Sequence, residues 1–80
     1  MLMLAAYHGH PPLVAALLEA GADPDLLNDR GQSPLAGAAF KGHVEVARVL
    51  LAGGADPESG SPSARETAQY FERAEISSLM

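Results

Sequence analysis

Eighty residues set the scale, and ten acidic against five basic side chains give a net charge of −5 with no cysteine. A chain this short buries one small core, near the lower limit for independent stability. The basic residues Arg30, Lys41, Arg48, Arg65 and Arg73 are scattered. Neither nucleic acid nor an anionic membrane is therefore expected as a partner, because both need clustered Lys and Arg. Without cysteine there is no disulfide framework and no thiolate metal site, which fits a reducing compartment.

The chain opens on the apolar MLMLAAYHGH. No positive charge precedes it, and His8-Gly9-His10 and Pro11-Pro12 interrupt it before a signal peptide or membrane span would be complete. A cytoplasmic protein is expected. Met1 to His8 reads as a short helix stopped at Gly9, since glycine tolerates the left-handed conformation that ends many helices. Pro11 and Pro12 open a second helix, where first-turn N–H groups have no intrahelical partner to lose. Leu13, Val14, Leu17 and Leu18 supply its apolar face, and Gly21 closes it. Ala22 to Gln32 forms a hairpin-like loop with Asp23-Pro24 and Asp29-Arg30-Gly31 as turns.

Ser33-Pro34 starts the next helix, the serine hydroxyl capping a free N–H and proline already set near a helical φ. The spacing predicts helices over 34–41 and 44–52, with Val46, Val49, Leu50 and Leu51 turned inward. These repeat the first pair. A slide of 33 residues sets Leu2 on Leu35, Ala5-Ala6 on Ala38-Ala39 and Gly9-His10 on Gly42-His43. It also sets Leu17-Leu18 on Leu50-Leu51, and Gly21-Ala22-Asp23-Pro24 on Gly54-Ala55-Asp56-Pro57. A period of this size is the signature of a stacked array.

The third unit is degenerate. A shift of 30 sets Ser63 on Ser33, Ala68 on Ala38 and Ile76 on Val46, shortens the loop Glu58–Pro62, and puts Arg65 where Leu35 sits. A competing register sets Thr67-Ala68 on Ser33-Pro34. A final helix is expected over 74–80.

The run G-x-S-P-L-x-x-A-A-x-x-G-H-x-E-V-A-x-x-L-L-x-x-G-A-D-P from Gly31 to Pro57 resembles an ankyrin repeat. The resemblance implies an all-α solenoid of stacked helix–turn–helix units joined by hairpin-like loops. It covers a first repeat lacking its hairpin (1–27), a complete repeat (28–60) and a degenerate, truncated one (61–80). Two departures stand out. Ser33 replaces the family's threonine, and the histidine that follows in the family pattern is Ala36 here and Met3 in the preceding unit, which implies a less rigid unit. His10 and His43 match the family's Gly-His histidines, which bond backbone in the turn between repeats.

The resemblance implies a protein–protein interaction module without catalysis. In the family the positions of Tyr7, Phe40 and Tyr70, and of their neighbours His8, Lys41 and Phe71, face the concave groove and commonly contact partners. Stacking would align Tyr7, Phe40 and Tyr70 as a ladder flanked by His8 and Lys41, the chemistry of binding hot spots. The plainer reading is that the rings cover the edge of the core. Asp29, Arg30 and Gln32 hold the hairpin contact positions, or are simply solvated loop.

Other chemistry finds little support. His8 and His10 have metal-ligand spacing, but repetition of His10 as His43 favours a turn role, and no metal or cofactor is expected. Asp23 and Asp56 recur in the closing loops as turn residues. Gly53-Gly54 lacks the spacing and lysine of a phosphate loop. The alternative to partner binding is a structural segment of a longer array, or self-association through the apolar faces 1–4 and 79–80.

Overall fold

Two serines, three turn positions and a row of alanines set the architecture. The computed structural model describes residues 2–80, so the expectations that rest on Met1 lie outside it. Six helices are present among these residues: α1 Leu2–Tyr7, α2 Pro11–Glu19, α3 Pro34–Lys41, α4 Val44–Ala52, α5 Ala64–Tyr70 and α6 Ala74–Leu79. They pair in sequence as α1–α2, α3–α4 and α5–α6. The first members stack as an inner layer, α1 on α3 on α5, and the second members as an outer layer, α2 on α4 on α6.

The helix starts are chemically fixed. Ser33 Oγ accepts from Ala36 N at 3.1 Å, and Pro34 occupies the first turn of α3. Ser63 repeats the device on α5, accepting from Glu66 N at 3.2 Å. Glu66 Oε1 reaches back to Ser63 N at 2.9 Å, closing a reciprocal capping box. Ser63 thus stands in α5 where Ser33 stands in α3, which is the 30-residue register. Thr67 lies inside α5 and bonds Ser63 O at 2.8 Å, so it starts nothing.

The inner helices approach closely because their facing side chains are small. Ala5, Ala6, Ala38, Ala39, Ala64 and Ala68 are all buried, with Leu35 fully enclosed in the first turn of α3. Alanine also carries the highest helix propensity, which supports helices of only two turns. Val14, Val46, Ala47, Leu50 and Ile76 complete the core from the outer layer. Val49 and Leu51 are half-buried against it, as are Leu17 and Leu18.

Leu13 departs from expectation: it is 41% exposed. Its equivalents Val46 and Ile76 are fully enclosed. They lie on α4 and α6, each packed on the outer helix before it, and among the described residues no such helix precedes α2. The apolar ends also differ from the expected exposed faces. Leu2 is buried, Leu79 and Met80 pack half-buried on the core, and among the described residues of these ends only Leu4, 60% exposed, stands clear. Arg65, in the place of Leu35, turns its guanidinium outward to Glu58 and to Met80 O at 3.3 Å.

The loops repeat a side-chain turn. Asp23 Oδ1 accepts from Asp25 N, and Asp56 Oδ1 from Glu58 N, each at 2.9 Å. Asp25 Oδ1 then takes Asp56 N at 2.7 Å and ties one loop to the next.

Candidate protein-binding surface

The ends of the inner helices bring four aromatic rings to one edge of the stack. Tyr7 and Phe40 lie nearly parallel, centroids 6.4 Å apart and planes 11° apart. Phe40 meets Phe71 edge-on at 5.0 Å, and Phe71 meets Tyr70 edge-on at 4.9 Å. The strip is therefore continuous, but its third rung is Phe71 and not Tyr70. The cause is local: α3 runs through Lys41 to a left-handed cap at Gly42, whereas α5 ends at Tyr70 and leaves Phe71 as its cap residue. From this cap position, its N–H still bonded to Thr67 O at 3.1 Å, the phenylalanine ring covers Phe40, while Tyr70 stands 81% exposed.

Phe40 and Phe71 are 43% and 41% exposed, so the strip is both packing and surface. Lys41 Nζ lies 5.1 Å from the Tyr7 centroid, where a ring quadrupole attracts a cation. His8 packs edge-on against Tyr7 at 5.5 Å and remains exposed.

The hairpin tip reaches the same edge. Asp29, Arg30 and Gln32 line a groove of about 360 Å³ with Met3, Leu4 and Tyr7. Asn28 builds this tip, a role the sequence reading passed over. Its Oδ1 accepts from Arg30 N at 2.9 Å and Gln32 N at 3.0 Å, and its own N–H donates to Gln32 O at 2.9 Å. Asp29 and Arg30 are left exposed at the apex. An Asn before a turn is the available signal, because its side chain mimics a backbone acceptor. All nine candidate contact residues thus lie on the strip or beside it, Tyr70 displaced from the rung it was given.

Of the two Gly-His histidines, His43 has a structural task, while the exposed His10 side chain makes no hydrogen bond among the described residues, contrary to expectation. His43 Nε2 lies 3.1 Å from Tyr7 O and joins the second unit to the first. In the third unit Arg73 takes that place, donating from Nη2 to Phe40 O at 2.9 Å and from Nε to Ala39 O at 3.3 Å. Glu72 replaces the turn glycine and holds φ +56°. Nothing in the Gly-His pattern announces this substitution, since Glu72-Arg73 shares no residue with it. Among the described residues no group of three or more His, Asp or Glu side chains lies close enough to hold a metal ion. No helix is long and apolar enough to cross a membrane.

Ankyrin repeats, in three copies, match residues 1–71. The chain belongs to the ankyrin-repeat family, and its two-layer helical stack is that family's architecture. Ankyrin repeats are generally protein–protein interaction modules and generally non-catalytic. No curated protein matches the chain closely enough to count as a relative.

Proposed function

We propose that this protein binds a partner protein through the aromatic strip and the adjoining hairpin tip, without catalysis. The observation that carries the reading is the continuous Tyr7–Phe40–Phe71–Tyr70 strip, exposed along one edge and flanked by Arg30 and Lys41. Aromatic side chains of this kind bring large contact area at low conformational cost, and hot spots are enriched in them. Asp29, Gln32 and His8 orient the partner at the rim. The reading treats residues 1–27, 28–60 and 61–80 as units of one array, and sets it in the cytoplasm, which suits a cysteine-free chain.

The test is capture from lysate with the wild-type chain, Phe40→Ala/Phe71→Ala and, as an outer-face control, Arg48→Ala. Each is first shown to be folded by circular dichroism. A protein held by the wild type and by Arg48→Ala but lost by the double variant supports the strip. Equal retention by all three refutes it. If every form retains only further copies of this chain, the self-association reading replaces it.

A further inference from the structure

The strip is not uniform along its length, and its two ends differ in what covers the rings. At the first rung the chain supplies its own cation: Lys41, from the second unit, sits over Tyr7 of the first. Over Phe40 the equivalent place is held by Phe71, edge-on. Tyr70, the repeat-equivalent of Tyr7 and Phe40, meets Phe71 edge-on at 4.9 Å but has no cation over it among the described residues and is 81% exposed. Beside it lies an apolar groove of about 390 Å³, lined by Pro62, Glu66, Thr67, Tyr70 and Phe71.

The charges around this groove are one-sided. Glu66 is exposed at its wall, and although Oε1 holds Ser63 N, Oε2 makes no hydrogen bond among the described residues. Glu72 follows Phe71 and is exposed as well. The nearest cations are committed elsewhere. Arg65 is paired with Glu58 and bonded to Met80 O, and Arg73 is bonded to Ala39 O and Phe40 O. The groove therefore offers two ring faces, an apolar wall and a carboxylate, with no cation of its own.

We propose that this groove seats an arginine side chain from an extended segment of the partner. Its methylene stem lies along Pro62 and Phe71, its guanidinium stacks on Tyr70, and an N–H donates to Glu66. A long side chain with an apolar stem and a charged planar head is the chemistry that satisfies all three features together. The partner's arginine then does at Tyr70 what Lys41 does at Tyr7. The proposal rests on the concave-strip reading and adds the residue type that the third unit selects.

The probe is a blocked nonapeptide with arginine at its centre between alanine and leucine, compared with the same peptide carrying citrulline, which keeps the shape and loses the charge. Binding is followed by NMR shifts of the Glu66, Tyr70 and Phe71 signals at fixed protein concentration. The arginine peptide is expected to shift these signals with an affinity about tenfold above that of the citrulline peptide. Glu66→Gln, which retains an acceptor for Ser63 N, and Tyr70→Ala, at an exposed site, are each expected to erase that preference. Equal affinity for the two peptides, no shifts, or shifts confined to Arg30 and Lys41 overturn the proposal. So does movement of the same signals with protein concentration alone, which makes a second copy the occupant. Any of these leaves the strip itself to be judged by the Phe40→Ala/Phe71→Ala capture, so the two failures are distinguishable.

Discussion

The two joints between units solve one problem with different side chains. Where the second unit meets the first, the His43 imidazole reaches one carbonyl, and the turn just before it is made by Gly42 at φ +77°. Where the third meets the second, the Arg73 guanidinium reaches two carbonyls, and the turn just before it is made by Glu72 in the left-handed region. The first joint is tight and well suited to its backbone. The second has the stronger donor but a turn residue that its conformation disfavours. The tie between stacked units is thus a position to be filled by any donor that reaches the preceding helix end.

The sharpest way to separate the joints is steric. A Cβ on Gly9 would fall 2.7 Å from the His43 ring, whereas one on Gly42 would lie 3.3 Å from Arg73 Cζ, the end of a flexible side chain. Gly9→Ala is expected to cost about 2 kcal/mol, combining the left-handed penalty with displacement of the ring and its bond. Gly42→Ala should cost about 1 kcal/mol, mainly the backbone term. Urea melts of the two variants decide this, and equal losses would mean the close packing at Gly9 is relieved without consequence.

The ties come next. Arg73→Ala removes two charge-assisted bonds at a partly exposed site and is expected to lower stability by about 1.5 kcal/mol; His43→Ala removes a single bond and about 1 kcal/mol. Thermal unfolding should also show Arg73→His recovering part of the loss. If histidine is no better than alanine there, the two joints are not interchangeable.

Glu72→Gly is expected to act in the opposite direction, raising stability by up to about 1 kcal/mol by relieving the positive φ. A loss on this change would show that the Glu72 side chain supports the turn. The smallest effect is assigned to Arg48→Ala on the outer helix. Its contact with Glu45 spans 3.4 Å between side chains that are 57% and 68% exposed, so about 0.3 kcal/mol is expected. A larger value would make surface charge, and not the joints, the main lever on this small array.

The sequence was most legible where a residue's role is set by its immediate neighbours. Ser33-Pro34 and Gly42 bound α3 at the expected residues, and α4 runs over the expected Val44–Ala52 between His43 and Gly53. It was least legible where a role depends on the adjoining unit. Leu13 fits the apolar pattern of its helix but lacks the neighbouring helix that encloses Val46 and Ile76. Tyr70 aligns with Phe40 by register, yet α5 ends at Tyr70 where α3 continues to Lys41, and that shift moves Phe71 onto the strip. Arg73 escaped notice because a histidine and an arginine share a reach and a donor but no letter. What could not be read was the order of the rings and the ground under the hairpin tip, which Asn28 provides.

The hairpin tip carries a consequence beyond its own turn. Ser61 N donates to Gly31 O at 3.0 Å, one residue past Arg30, so the loop of the third unit is anchored to the loop of the second. A Cβ on Gly60 would fall 2.7 Å from the same oxygen, which shows how closely the two loops lie. A ligand that grips Arg30 therefore damps the local opening that would release the Ser61 proton to solvent. Slowed deuterium uptake at Ser61 would register such an engagement at a distant point of the chain, through a loop-to-loop bond that is already made without a ligand.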